Sequence, residues 1–275
     1  MERVTIVLES SEDLTTEIST HQDSPASYNV TVNYYITQEE MIMLAESQIG
    51  QNAKKLSIDP EEIDFSEEQA FLRAIDYSVL SFPQLLSLES RHLGVKAIHF
   101  TKENTPKLKH LSIELVQSVI GYFLTDLPDL ETCAFQFLSI DDPRGLGKSL
   151  SRSPKLKSIS CYKFWGIGDK KSETHVLVLP NCEHLKFHRS EDLTYMKIWA
   201  PKLQDLNFQA CYDIKEVTIL DSIPQGYEAK DKEYSFSGKP SEYRVNFLNT
   251  TIPKGNATTH SRCTKVIENM EEMTF

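Results

Sequence analysis

Asp141 and Asp142 are adjacent carboxylates, the residue types that glycoside hydrolysis uses as acid and base at a suitable separation. The run GLGKS at 145–149 resembles the end of a phosphate-cradling loop. That loop needs a glycine where Asp142 stands, so the match fails. His184 and His188 have the i,i+4 spacing of a helical metal pair. They lie in a strand phrase, where one face separates them by about two residue pairs, too far for one ion unaided. There is no HExxH and no GxSxG elbow. The five cysteines (Cys133, Cys161, Cys182, Cys211, Cys263) are odd in number and irregularly spaced, with no CxxC pair, which argues against a disulfide framework and a zinc site. No metal, cofactor or catalytic group is called for, and Asp141-Asp142-Pro143 reads as a turn.

The elements that must position these residues are written in the prolines. Six similar phrases begin at Pro83, Pro106, Pro128, Pro154, Pro180 and Pro201, spaced 23, 22, 26, 26 and 21 residues apart. Apolar residues recur two, five and seven places after each proline. They are Leu85 and Leu88; Leu108, Leu111 and Ile113; Leu130, Cys133 and Phe135; Leu156, Ile159 and Cys161; Cys182, Leu185 and Phe187; Leu203, Leu206 and Phe208. Only Ser90 breaks the pattern. The last two positions have period two and predict one face of a short strand. Proline fixes φ and donates no hydrogen bond, so it suits the corner before that strand. A unit this short buries its apolar face only by stacking on copies of itself.

A weaker phrase of the same spacing (Val95, Ile98, Phe100; Leu193, Met196, Ile198; Ile214, Val217, Ile219) predicts strands on the opposite wall of the coil. Segment 116–124 predicts a short helix, and 141–152 a loop and a helical turn. In the columns one and three places after each proline the charge signs alternate up the stack. In-register parallel strands would bring those residues ~5 Å apart, where opposite charges help.

Toward the N-terminus, residues 4–8 and 27–36 alternate as strands. Thr37 to Glu40 is a capping box, and Ser66 to Gln69 opens a second helical pattern, so helices are expected at about 38–50 and 66–80. Residues 1–80 hold 16 acidic and 4 basic side chains, net −12, whereas 81–275 hold 24 and 25, net +1; together they give the chain's −11. The acidic cluster at 59–68 reads as a solvated face, partly helix N-terminal charge. After Asp221 the phrase stops, and YRVNFL at 243–248 is the remaining strand. The expected division is an acidic α+β cap region at 1–81, a solenoid at 82–221, and a C-terminal cap with a mobile tail at 222–275.

The best copy, LQDLNFQACYDI, places Leu203, Leu206, Phe208, Cys211 and Ile214 at the L-x-x-L-x-L-x-x-C-x-x-I spacing. It resembles the cysteine-containing leucine-rich repeats of F-box receptors, and the Pro-x-Leu openings resemble their irregular plant-type forms. The resemblance covers about residues 82–220. It implies an α/β solenoid, a leucine-rich-repeat-like stack of about six turns with a parallel β-sheet. No LPxE-type F-box opening precedes residue 82, and the other core cysteines read as small buried hydrophobes. Parallel β-helix carbohydrate enzymes use turns of similar length, and Asp141/Asp142 is superficially similar to their acid and base. Their NTD, HG and RIK motifs are absent.

Positions four, six and eight after each proline should line the exposed sheet face. That face has no basic stripe, which weighs against nucleic acid. Its richest patch is Tyr162, His184, Lys186 and His188, with Phe164 and Trp165 just beyond, the side-chain types that anchor protein partners. The expectation is a non-enzymatic scaffold or substrate-recognition module that binds another protein, as a possible subunit of a larger assembly. No apolar run is long enough for a membrane span and no secretory leader is evident, so an intracellular site, cytoplasmic or nuclear, is expected.

Overall fold

The computed structural model describes residues 2–60, 75–91, 95–97, 102–114, 127–136, 150, 152–163, 176–190, 195–211, 214, 216–222, 242–248 and 263–269. In chain order the elements are β1 (Arg3–Leu8), α1 (Ser11–Thr20), β2 (Ser27–Val32), α2 (Gln38–Glu46), α3 (Gln48–Gln51), β3 (Ala53–Ile58), β4 (Ile75–Asp76), a 3₁₀ turn (Tyr77–Val79), β5 (Ser87–Ser90) and β6 (Val95–Ala97). Then follow β7 (His110–Glu114), β8 (Thr132–Gln136), β9 (Ser158–Tyr162), β10 (Val176–Val178), β11 (His184–His188), β12 (Tyr195–Trp199), β13 (Asp205–Gln209), β14 (Glu216–Ile219), β15 (Tyr243–Leu248) and β16 (Cys263–Asn269).

Eleven strands form one sheet in the order β1-β2-β3-β5-β7-β8-β9-β11-β13-β15-β16. Its pairings are parallel throughout. A second parallel sheet, β10-β12-β14, and the pair β4-β6 use the intervening segments. The architecture is a repeating parallel β-sheet with few helices.

The proline corners explain how each turn of chain enters the main sheet. The N–H two residues after each proline donates to the carbonyl just before it: Leu85 to Phe82, Leu108 to Thr105, Leu130 to Leu127, Leu156 to Ser153, Cys182 to Leu179, Leu203 to Ala200, at 3.1–3.3 Å. Proline thus holds the second position of a β-turn, where its fixed φ is already correct. The strand after each corner buries its two alternate inward residues, and β7 buries Glu114 as well. In register they form two apolar columns. One runs Leu88, Leu111, Cys133, Ile159, Leu185, Leu206, Val245; the other runs Ile113, Phe135, Cys161, Phe187, Phe208. Phe187 and Phe208 stack with centroids 5.5 Å apart. Ser90 interrupts the second column, and it faces the buried phenol of Tyr77. Burial pushes that phenol up to about 12, and the nearby Ser90 hydroxyl opposes the rise. The polar break in the repeat is therefore matched to a polar group on the facing segment.

Three rungs leave the sheet alike. Lys163, Arg189 and Ala210 follow β9, β11 and β13 directly, and have φ of 51°, 49° and 51°. The left-handed turn lets Lys163 N–H reach the His188 carbonyl at 2.9 Å and Arg189 N–H reach that of Gln209 at 2.8 Å. Cys211 lies just beyond, fully buried, its thiol pointing at the Phe187 and Gln209 carbonyls at 3.5 Å. Cys133, Cys161 and Cys182 are buried among the apolar columns and corners.

The N-terminal elements join the same sheet. Val30 pairs with Leu56 and Leu56 with Leu88, so the first apolar column continues to Ile6 in β1. The strand β3 was not foreseen. The capping box forms: Thr37 Oγ1 accepts from Glu40 N–H at 3.2 Å, and Glu40 accepts from Thr37 N–H at 2.7 Å. The helix expected at 38–50 is broken at Ser47, which caps α3 through Gly50 N–H.

The helix expected at 66–80 is corrected over 75–80; 66–74 lie outside the described residues. Ile75–Asp76 is a strand paired with β6, and Asp76 then caps the 3₁₀ turn through Ser78 N–H at 2.9 Å. Ile75 and Tyr77 are buried while Val79 is 62% exposed, so the apolar alternation there belongs to a strand and turn. Helix α1 has no counterpart in the expectations. It is rich in Ser and Thr and buries only Leu14 fully; Thr15, Thr16, Ser19 and Thr20 return their hydroxyls to the carbonyl four residues earlier. YRVNFL forms β15 as expected. Where a cap and mobile tail were expected, β15 and β16 extend the sheet. The segments 116–124 and most of 141–152, with Asp141, Asp142 and GLGKS, lie outside the described residues. No helix among the described residues is long and apolar enough to cross a membrane.

Candidate functional site

The open face of the main sheet carries the residues four, six and eight places after each proline. The corner columns beside it are laced by charge. Lys109 meets Glu131 at 2.9 Å and Lys157 meets Glu183 at 3.3 Å three places after the prolines. One place after them, Lys155 meets Asp129 at 2.6 Å, Lys107 donates to Gln84 at 2.7 Å and Lys202 to Asn181 at 2.7 Å. Hydrogen bonds from Lys155 and Lys109 hold Asp129 and Glu131 below the usual carboxylate range. These lysines are spoken for by their neighbours up the stack.

Across the face, the strands bring Tyr162 and His188 together. Both occupy the eighth place after a proline, in register on β9 and β11. Their rings meet edge to face, centroids 4.8 Å apart. Arg189 Nη1 donates to the Tyr162 hydroxyl at 3.1 Å, and the Lys163 ammonium lies 5.9 Å from the Tyr162 ring centroid. Lys186 is one outward position back along β11. Burial, then the Lys186 and Arg189 charges, hold the His188 imidazole below its ordinary pKa. The left-handed exits put Lys163 and Arg189 here. They were not foreseen as site residues, because their placement depends on φ and not on the strand alternation.

His184 does not join this group. It sits at the start of β11, and its Nδ1 meets Asp205 at 3.0 Å. Asp205 also takes Arg244 at 2.7 Å from β15. Phe164 and Trp165 lie outside the described residues. The two histidines thus serve different neighbours, and no group of three or more His, Cys, Asp or Glu among the described residues is arranged to hold a metal.

Register also places Ser158, His184 and Asp205 side by side on β9, β11 and β13, the residue types of a hydrolase triad. Three features argue against that chemistry. Among the described residues His184 makes no hydrogen bond to Ser158. Its side chain is 47% exposed, so water reaches the base. Arg244 shares the carboxylate that would orient the base.

Beside the Tyr162–His188 pair the face is hollow. Ser112, Ala134 and Ser160 are small and in register on β7, β8 and β9. They floor a groove of about 240 Å³ whose walls include Glu114, Gln136 and Tyr162, with Arg91 at its far end. Arg91 is held by Glu89 at 2.6 Å and Asp59 at 3.6 Å. Glu114, expected to be exposed, is 8% exposed.

Comparison with protein-family models, with curated proteins and with solved structures returns no match.

Proposed function

We propose that this protein is a non-enzymatic, leucine-rich-repeat-like solenoid that binds another protein across its open sheet face, as a substrate receptor or assembly scaffold. The observation that carries this proposal is the Tyr162–His188 pair beside a polar groove on a broad in-register face. Aromatic rings held by neighbours offer contact area at little entropic cost. The Pro-x-Leu corner, the two-residue apolar strand and the buried Cys211 after it support the kinship with leucine-rich repeats. Among the described residues the triad-like column at Ser158 has no nucleophile–base contact and its histidine is half-exposed, which supports a binding role.

The test is quantitative affinity capture from the native cell, comparing wild type with the Tyr162→Ala/His188→Ala double variant at equal folded concentration. A defined set of proteins should be depleted from the variant. Recovery of every protein at unchanged level would overturn the proposed face. For the β-helix enzyme alternative, a glycan-hydrolysis screen with Asp141→Ala as control decides; activity lost in that variant would replace this proposal.

A further inference from the structure

We propose that the groove takes an extended segment of a partner protein bearing an acidic side chain, which seats against Lys186 and Arg189 beside the Tyr162 ring. This rests on the protein-binding proposal above and names the chemistry of the partner.

The charge on this face is sorted by strand. On β11 and its exit stand Lys186, His188 and Arg189, and from β9 Lys163 leans over Tyr162. The nearest outward neighbours in these columns are neutral: Ser160 on one side, Asn207 and Gln209 on the other. The first carboxylate in the column of His188 is Glu114, three strands away, or ~14 Å at the usual strand spacing. That exceeds the ~8 Å over which salt leaves charges in contact. Asp205, on β13 two residues before the register partner of Lys186, is nearer but is engaged by His184 and Arg244. Arg189 spends one hydrogen bond on the neutral Tyr162 hydroxyl. Lys186 has no ion pair among the described residues. Burial chiefly, and then the Lys186 and Arg189 charges, hold the His188 imidazole below its ordinary pKa.

The shape favours a peptide over other anions. The cations stand just beyond the Tyr162 end of the groove, Lys163 and Lys186 half-buried and Arg189 exposed, so a free phosphate would leave the groove itself empty. A nucleic acid needs a long basic stripe. Here the basic end spans two strands on a chain of net charge −11. An extended chain of about four residues covers the ~14 Å from His188 to Glu114, beside a floor of Ser112, Ala134 and Ser160 that admits backbone and small side chains. The net charge of the protein repels acidic ligands generally, so a preference for them isolates the local cluster.

The test selects a random-octapeptide display library on the immobilised full chain, with wild type, Lys186→Gln/Arg189→Gln, Arg189→Lys and Tyr162→Ala run in parallel. All four are checked for wild-type cooperative unfolding. Wild type should enrich peptides with Asp or Glu at one end of a short motif. Replacing that residue by Gln or Asn in a selected peptide should weaken binding at least about tenfold at low salt, and the double Gln variant should lose the same factor. Arg189→Lys should keep most of the preference. The selected peptide should raise the His188 pKa seen by NMR, since a bound anion favours the imidazolium. Lys186, Arg189, Lys163 and Tyr162 are the titratable groups facing it. Enrichment of peptides without acidic residues that still need Tyr162 would overturn the acidic specificity and leave the binding face standing. No enrichment on any variant would overturn both. Displacement of the selected peptide by inorganic phosphate or a single-stranded oligonucleotide at equal charge concentration would assign the site to those anions and overturn the peptide.

Discussion

Tyr162 and His188 stand in register on adjacent parallel strands, and their rings meet edge to face 4.8 Å apart while Arg189 ties down the tyrosine hydroxyl. One link of this cluster is made after the strand has ended, by a residue in a left-handed turn. The pair is therefore a product of both the strand register and the exit geometry.

The His188 imidazole gives a pH signature. Its pKa in the fold lies below the ordinary 6.5, so the unfolded chain binds the proton more readily. Its contribution to stability is present above the unfolded pKa and is lost as pH falls through that value toward the folded one. Denaturant unfolding measured from pH 7.5 to 5 (about the window where histidine titrates) should show stability falling, and His188→Gln should flatten the slope. A slope unchanged by the substitution would refute the depression assigned to burial and the Lys186 and Arg189 charges.

Phe187 is fully buried and stacked on Phe208. Truncation to Ala removes a ring from the continuous core and leaves a cavity that β-strands fixed by register cannot close. Phe187→Ala should cost about 3–5 kcal/mol in urea unfolding.

The corner ladder is electrostatic and exposed. Asp129→Lys places like charges beside Lys155, and should lower the thermal midpoint at low salt. The swapped pair Asp129→Lys/Lys155→Asp should restore most of it. At about 1 M salt, where the screening length is near 3 Å, the three proteins should converge. Asp129 and Glu131 titrate below their ordinary 3.8 and 4.5, so the ladder's contribution is present above those values and disappears as pH falls through the lowered ones.

Ala210 holds φ of 51°, where a Cβ crowds the following carbonyl. Ala210→Gly should stabilise the fold by up to about 1 kcal/mol, net of glycine's greater freedom when unfolded. Arg189→Gly should relieve the same strain but release the Tyr162 hydroxyl, so stability and peptide binding should move in opposite directions.

The buried thiols should be inert. Burial raises Cys133, Cys161, Cys182 and Cys211 above the ordinary thiol range, Cys182 to about 12. Ellman titration of the native chain should miss these four and recover them in denaturant. Fast reaction of any of them in the native chain would contradict its place in the core.

Much of this fold was legible because its rules are local. Proline at a β-turn position and apolar residues of period two are written within a dozen residues, and each copy repeats them. That was enough to predict the corners, the two core columns and the alternating ladder, since identical copies stack in register. The rest depended on partners brought from elsewhere in the chain. Helix α1 carries no broad apolar stripe, and Ile75–Asp76 became a strand because Val95 paired with it. Ser90 looked like a flaw until Tyr77 was seen against it. Of the named site residues, the two histidines were split by their distance along β11. His184 went to Asp205, His188 to Tyr162, and Arg189 entered through a backbone turn that no alternation encodes. The sequence determines what each rung of this protein is. Only the tertiary structure decides which rungs' side chains meet, because that is set by register and by φ at the strand exits, and neither is a property of one repeat alone.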